Sequence, residues 1–326
     1  MPGRIEYPQS RHNIGARPRR LYKTVGSLAP MTPPPADIAV DLALAERLVA
    51  DQFPDLSTLP LRVATEGWDN VIFRLGDGMA LRIPRREMAA SLIDHEQRWL
   101  PFLAPLLPIE IPAPLRSGAP TPYFPYPWSV VAWVPGQMAL HDPLRLPEAA
   151  TLGAFLKTLH NIALPDDPPA NPYRGGSLAE RRQLYRQRLA TARPELGERH
   201  ADSTRSLLLE VFEMAAPRSS TWLHGDLHSK NVISRDGSIA AIIDWGDICT
   251  GDPATDLASL WILFEPEAHH AFWSSYGEIE EDLLTRARAW AVAFGLMLHD
   301  SHHEADPKFA AAGLTTIRRA LQVPNT

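Results

Sequence analysis

One stretch constrains this chain more than any other: His224-Gly225-Asp226-Leu227-His228-Ser229-Lys230-Asn231, followed by Ile243-Asp244-Trp245-Gly246-Asp247. Asn231 stands five residues after Asp226, and Asp244 thirteen residues after Asn231, behind the apolar run Ile239–Ile243 and before a turn holding Gly246. Phosphoryl transfer needs those parts: one carboxylate to accept the proton of an attacking hydroxyl, and an amide oxygen with a second carboxylate to hold Mg²⁺ on nucleotide phosphates. Each residue alone has a plainer use, since Asp in a turn caps a helix and Asp after an apolar strand is an ordinary turn residue. The joint spacing, with the apolar segments Trp222-Leu223 and Ile239–Ile243 delivering both acids, favours chemistry. A zinc pair is the rival use of His224 and His228. Such a His-x-x-x-His pair needs a helix, and Gly225 between them argues for a loop, so zinc is rejected.

With Gly251-Asp252-Pro253-Ala254-Thr255-Asp256-Leu257-Ala258 close behind, the stretch resembles the catalytic and metal loops (H-x-D…N, then D-x-G) of the protein-kinase-like fold, in the form used by the aminoglycoside phosphotransferase family. The resemblance spans about residues 37–322. It implies a bilobal α/β (α+β) fold, with a small antiparallel-sheet N-lobe and a larger, mainly helical C-lobe. It also implies an Mg²⁺-dependent transfer of the γ-phosphoryl of ATP or GTP to a hydroxyl of an aminoglycoside-like antibiotic. On that pattern Asp226 is the catalytic base, Asn231 and Asp244 hold the metal, and His224 and Asp256 brace the loop. Family members hold the acceptor with acids from the C-terminal region, which assigns Asp300 and Glu304 to a ligand amine.

The chain of 326 residues is long enough for two lobes with a shared cleft. Residues 1–36 read as a disordered basic, Pro-rich tail, 37–135 as the nucleotide-binding lobe with its hinge, and 136–326 as the catalytic and substrate lobe. Residues 1–30 hold six basic residues against the single acid Glu6, a net of +5, so the overall −6 leaves −11 on the remainder. An acidic body disfavours nucleic acid and attracts a polycationic small molecule. Met31 is an alternative start, with the preceding residues an upstream extension. One cysteine, Cys249, allows no intrachain disulfide and suits a reducing cytoplasm. No apolar run approaches the roughly 20 residues that span a bilayer, and the basic opening has no apolar core of a secretory signal. Monomer and dimer are both compatible with the sequence.

Along the chain, Asp37 is the expected N-cap of a helix running to about Phe53. Strands follow at Leu61–Glu66, Val71–Leu75 and Met79–Ile83, joined by Gly67-Trp68-Asp69-Asn70 and by the turn Gly76-Asp77-Gly78. The first hairpin has one glycine where protein kinases have three; its Gly-x-x-Asn form is similar to the family's, which implies backbone N–H groups and the Asn70 amide near the phosphates. No lysine occurs between Lys23 and Lys157, so the role of phosphate-binding cation on the third strand falls to an arginine or lapses. Two-residue alternation puts Ala80 and Arg82 on one face, which selects Arg82, a planar fork in place of a point charge. Glu96, central in a helix over Glu87–Leu103, is its expected partner, with Asp94 the fallback. An apolar strand Trp128–Val134 leads to Pro135-Gly136 and matches a hinge, where backbone groups of Trp133 and Val134 would meet the purine.

From Pro147 helical spacing takes over, with a polar loop at Leu164–Gly176, arginine-rich helices near Ser177–Arg193 and Asp202–Met214, and a helical C-terminal third. Only six residues separate Asp244 from Gly251, too few for an activation segment, which favours a small hydroxylated acceptor over a protein. Macrolides, cyclic-peptide antibiotics, choline, homoserine and sugars are rivals within that class, and a nucleotide-binding regulator without catalysis is the rival outside it. No P-loop, Gly-x-Gly-x-x-Gly or Gly-x-Ser-x-Gly pattern occurs, which removes three other enzyme classes.

Overall fold

A computed structural model describes residues 35–67, 69–215, 217, 220–302 and 306–322, so nearly all of the expected basic tail lies outside the described residues. Helix α1 (Leu42–Gln52) is capped by Asp41, whose carboxylate accepts the Leu44 N–H at 2.8 Å. Asp37, the expected cap, serves another helix: its carboxylate accepts the Glu87 N–H at 2.8 Å. The Asp37 N–H bonds the carbonyl of Arg85, pinning this segment beside the start of the later helix.

Strands β1 (Leu61–Glu66), β2 (Asn70–Leu75) and β3 (Met79–Pro84) precede helix α2 (Glu87–Leu103); β4 (Pro114–Gly118) and β5 (Trp128–Ala132) follow it. They form one antiparallel sheet in the order β1-β2-β3-β5-β4. Alternation along β3 sends Leu81 and Ile83 into a core with α1, Phe73 and Trp128, while Arg82 on the other face meets α2. The sheet therefore has a dry side and a side carrying a buried cation.

The rest is mainly helical around a second, larger apolar core. After β6 (Gln137–Met138) come α3 (Glu148–Asn161), α4 (Arg182–Leu196) and α5 (Glu198–Glu213). Gly197, at φ +83°, separates the last two, so the second begins four residues earlier than expected. Strands β7 (Thr221–Leu223), β8 (Val232–Arg235), β9 (Ser238–Ile242) and β10 (Cys249–Gly251) carry the functional loops. β6, β8 and β9 pair as one small sheet and β7 with β10 as another. β8 was not foreseen, although Asp236 and Gly237, both at positive φ, make the tight turn that joins it to β9. Helices α6 (Ala254–Leu257), α7 (Ser259–Leu263), α8 (His269–Tyr276), α9 (Glu281–His302) and α10 (Pro307–Leu321) complete the chain. Among the described residues no helix is long and apolar enough to cross a membrane.

Candidate active site

The strand β7 ends at Leu223, and the loop that begins at His224 is fastened by one buried acid. Asp256 accepts the N–H of His224 at 2.8 Å and that of Gly225 at 2.9 Å. His224 Nδ1 accepts the Asp226 N–H at 3.2 Å, which leaves Nε2 protonated to donate to the Ile243 carbonyl at 2.9 Å. His224 thus ties the loop of Asp226 to the strand that delivers Asp244. Gly225 sits at φ +84°, and a Cβ there would come within 2.8 Å of the Asp247 carbonyl, so the loop's path requires glycine.

The β8–β9 hairpin brings the other two residues together at its open end, where the Ile243 N–H bonds the Asn231 carbonyl at 2.9 Å. Asn231 Nδ2 donates to the Asp226 backbone carbonyl at 2.8 Å and reaches its carboxylate at 3.4 Å. With the nitrogen so occupied, the amide oxygen is the atom left to face a cation. Asp244 stands at φ +61°, a strained position for a non-glycine residue, with its side chain half exposed. One carboxylate and one amide oxygen are hard oxygen donors of the kind that would suit an Mg²⁺ brought in with nucleotide phosphates.

Arg82 joins the sheet to these loops. Its Nη2 donates to Glu96 at 2.9 Å and to Asp244 at 3.1 Å. Burial opposes the charge of Arg82, but the two carboxylates outweigh it and hold the guanidinium protonated. Glu96 feels the same burial and the Asp244 charge, which together outweigh Arg82 and push its carboxyl up to about 7. Nε of Arg82 is buried with no partner among the described residues.

Four residues of the site had been given no part in the chemistry from sequence. Arg174, from the loop read only as polar and Pro/Gly-rich, forms an ion pair with Asp226 at 2.6 Å and donates to Asp247 at 3.2 Å. Asn171 of the same loop donates to Asp247 at 2.7 Å. His228 Nε2 lies 3.4 Å from the second carboxylate oxygen of Asp226, with Nδ1 accepting the Lys230 N–H. Burial would raise the Asp226 carboxyl, but Arg174 and His228 overcome it and hold that group well below the usual carboxylate range. Burial dominates at Asp247, which is raised. Asp247 was visible as the end of the Asp-Trp-Gly-Asp run; Arg174 carried no spacing signal.

The remaining expected residues are placed as follows. Asn70 begins β2 and is buried, its amide oxygen without a partner among the described residues. Ala80 is buried on β3. Trp133 donates its N–H to the Gly78 carbonyl at 2.9 Å, so its carbonyl is the backbone group not used by that strand contact. Asp300 does not stand open to a ligand amine, because Arg188 donates to it at 3.2 Å on a largely buried pair. Glu304 lies outside the described residues.

The model of the phosphotransferase enzyme family, abbreviated APH, matches residues 60–290. The chain belongs to that family. Among curated proteins, this phosphotransferase is 28% identical over 210 residues to viomycin phosphotransferase of Streptomyces vinaceus, covering 59% of this chain and 70% of that one. Among solved structures, its fold matches the GDP complex of aminoglycoside 2′-phosphotransferase-IIIa with a TM-score of 0.63 at 18% identity, over 85% of this chain and 97% of that one. A macrolide 2′-phosphotransferase of Brachybacterium faecium gives 0.58 at 22% identity, over 84% and 98%. The fold is the protein-kinase-like one, and the enzyme is a small-molecule phosphotransferase.

Proposed function

We propose that this phosphotransferase moves the γ-phosphoryl group of ATP or GTP, with Mg²⁺, to a hydroxyl of a small antibiotic-type molecule. The observation that carries the reading is the shared frame of Asp226, Asn231 and Asp244: Asn231 is bonded to Asp226, and Asp244 is held by Arg82, which Glu96 anchors in turn. Bound Mg²⁺ supplies charge neutralisation at the phosphates, with Asn231 and Asp244 as its protein ligands. Asp226 orients the acceptor hydroxyl and takes its proton. Arg82 faces the nucleotide phosphates, held in place by Glu96. Asn70, Ala80 and Val134 line the nucleotide side, and His224 with Asp256 keeps the loop in register. Because little covalent chemistry falls to the protein, most of the rate comes from positioning and charge.

Three acceptor classes head the list because relatives and neighbours are phosphotransferases of viomycin, macrolides and aminoglycosides. The aminoglycoside version loses one support, since Asp300 is bonded to Arg188. A phosphorylation screen of these antibiotics and of hydroxylated metabolites, with the product located by phosphorus NMR, tests the proposal. Turnover that stops on chelation of Mg²⁺ and in D226N is expected; phosphorylation undiminished in D226N overturns the assignment of the base.

A further inference from the structure

One stripe of α9 is covered by arginines from other segments, the first of which, Arg174, also pairs with Asp226. Trp290, Phe294, Met297 and Asp300 recur at spacings of three and four on this helix, which makes them one stripe. The Arg181 guanidinium lies 5.3 Å from the Trp290 ring centre, Arg174 lies 5.2 Å from that of Phe294, and the two rings are 6.0 Å apart. Arg188 meets Asp300 farther along the same stripe. Of the three guanidinium groups on this stripe, Arg174 pairs with the candidate base Asp226 at 2.6 Å, and Arg181 and Arg188 follow from the helical run that begins just after its loop.

Their counterions are unevenly shared. Arg174 has every nitrogen engaged, by Asp226, Asp247 and the Met297 sulfur at 3.7 Å. Arg188 has Asp300. Arg181 has no carboxylate at bridging distance among the described residues, and two of its nitrogens, Nε and Nη2, are buried without a hydrogen-bond partner. Burial lowers its pKa and Arg174 and Arg188 lower it further by repulsion, against the opposing influence of Tyr185 and Glu180. Unpaired buried guanidinium nitrogens beside two like charges are costly, and an anion is the group that relieves both the missing bonds and the repulsion.

We propose that Arg181, backed by Arg174 and Arg188, is an anion-recognising subsite for the acceptor, so that the molecule phosphorylated carries a carboxylate or phosphate near its reacting hydroxyl and not a set of ammonium groups. This rests on the phosphotransferase reading above and names the charge class of its substrate. A polycation would place like charge against the row, whereas one anionic group would complete it.

Four sugars that share a ring and differ in charge test it: glucuronate, glucose 6-phosphate, glucose and glucosamine, with kanamycin as a polycation. Binding to the full chain loaded with Mg²⁺ and a non-hydrolysable ATP analogue is measured by calorimetry. The expected result is at least about tenfold tighter binding of glucuronate or glucose 6-phosphate than of glucose and glucosamine. The two anions distinguish a carboxylate from a phosphate subsite. The preference should vanish in R181Q and persist in R181K, with both variants melting cooperatively to show that they fold. Binding of neither anion, equal or tighter binding of glucosamine or kanamycin, or an anion preference kept in R181Q overturns the proposal. Slow Mg²⁺-dependent nucleotide hydrolysis by the wild-type chain is recorded alongside. Its presence with no anion preference removes only the subsite, and its absence removes the phosphotransferase reading.

Discussion

Asp226 has both carboxylate oxygens occupied, one by Arg174 and the other within reach of His228 and Asn231. An acceptor hydroxyl must therefore enter by sharing or displacing the Arg174 contact. D226N keeps the shape of the loop and removes the proton acceptor, so turnover should fall by about 10²–10⁴-fold with nucleotide affinity little changed; steady-state kinetics checks this. Asp256 makes the opposite kind of contribution. It is fully buried and accepts two backbone N–H groups, so D256A leaves both donors without partners. The expected loss is about 1–3 kcal/mol per orphaned group, read as a lower urea midpoint, with activity falling as the loop loosens. Both residues were legible in sequence because their motifs keep fixed distances along the chain. Arg174 was not, since a lone arginine in an irregular loop has no periodicity to mark where it will dock.

Helices α9 and α10 show how an element's role depends on its partner. They approach so closely at Gly295 and Gly313 that a Cβ on the first would lie 2.6 Å from the Gly313 carbonyl, and one on the second 2.5 Å from the Gly295 carbonyl. G295A should force the helices apart and cost about 1–3 kcal/mol, seen as a lower melting temperature, while the glycines' own helix propensity argues the other way. A second prediction belongs to α8. His269 at its start packs on Trp261, and burial together with the Arg319 charge pushes its pKa down to about 4. The unfolded chain binds this proton near pH 6.5 and the folded one only near pH 4, so between those values the unfolded state holds more protons and stability falls as pH falls. H269L should flatten that part of a plot of urea midpoint against pH. Helix spacing announced these elements in the sequence. The strand β8 escaped notice because four residues beside a loop show too little alternation to be told from irregular chain.

At the scale of the molecule, the catalytic frame is assembled from segments far apart in sequence. Arg82 on the sheet and Asp244 in the helical part are 162 residues apart and meet at 3.1 Å. Mg²⁺ with nucleotide should therefore stabilise the whole chain, by about 2.7 kcal/mol at a ligand concentration one hundred times Kd. D244A should abolish the Mg²⁺-dependent part of that gain in thermal melting, and an equal gain in the variant would contradict the metal assignment. Local order was fixed by the sequence alone: the hairpins of the sheet, the long helix after β3, and the acid–amide–acid spacing of the loops. Those depend on turn residues, side-chain periodicity and short distances along the chain, which do not need the rest of the molecule. Only the tertiary structure decided that Arg174 covers Asp226, that Arg188 pairs with Asp300, and that two nitrogens of Arg181 are buried without a partner among the described residues. Charges separated by a hundred residues acquire partners only when packing has fixed where each side chain ends, and so the charge of the acceptor pocket could not be read from residue types in order.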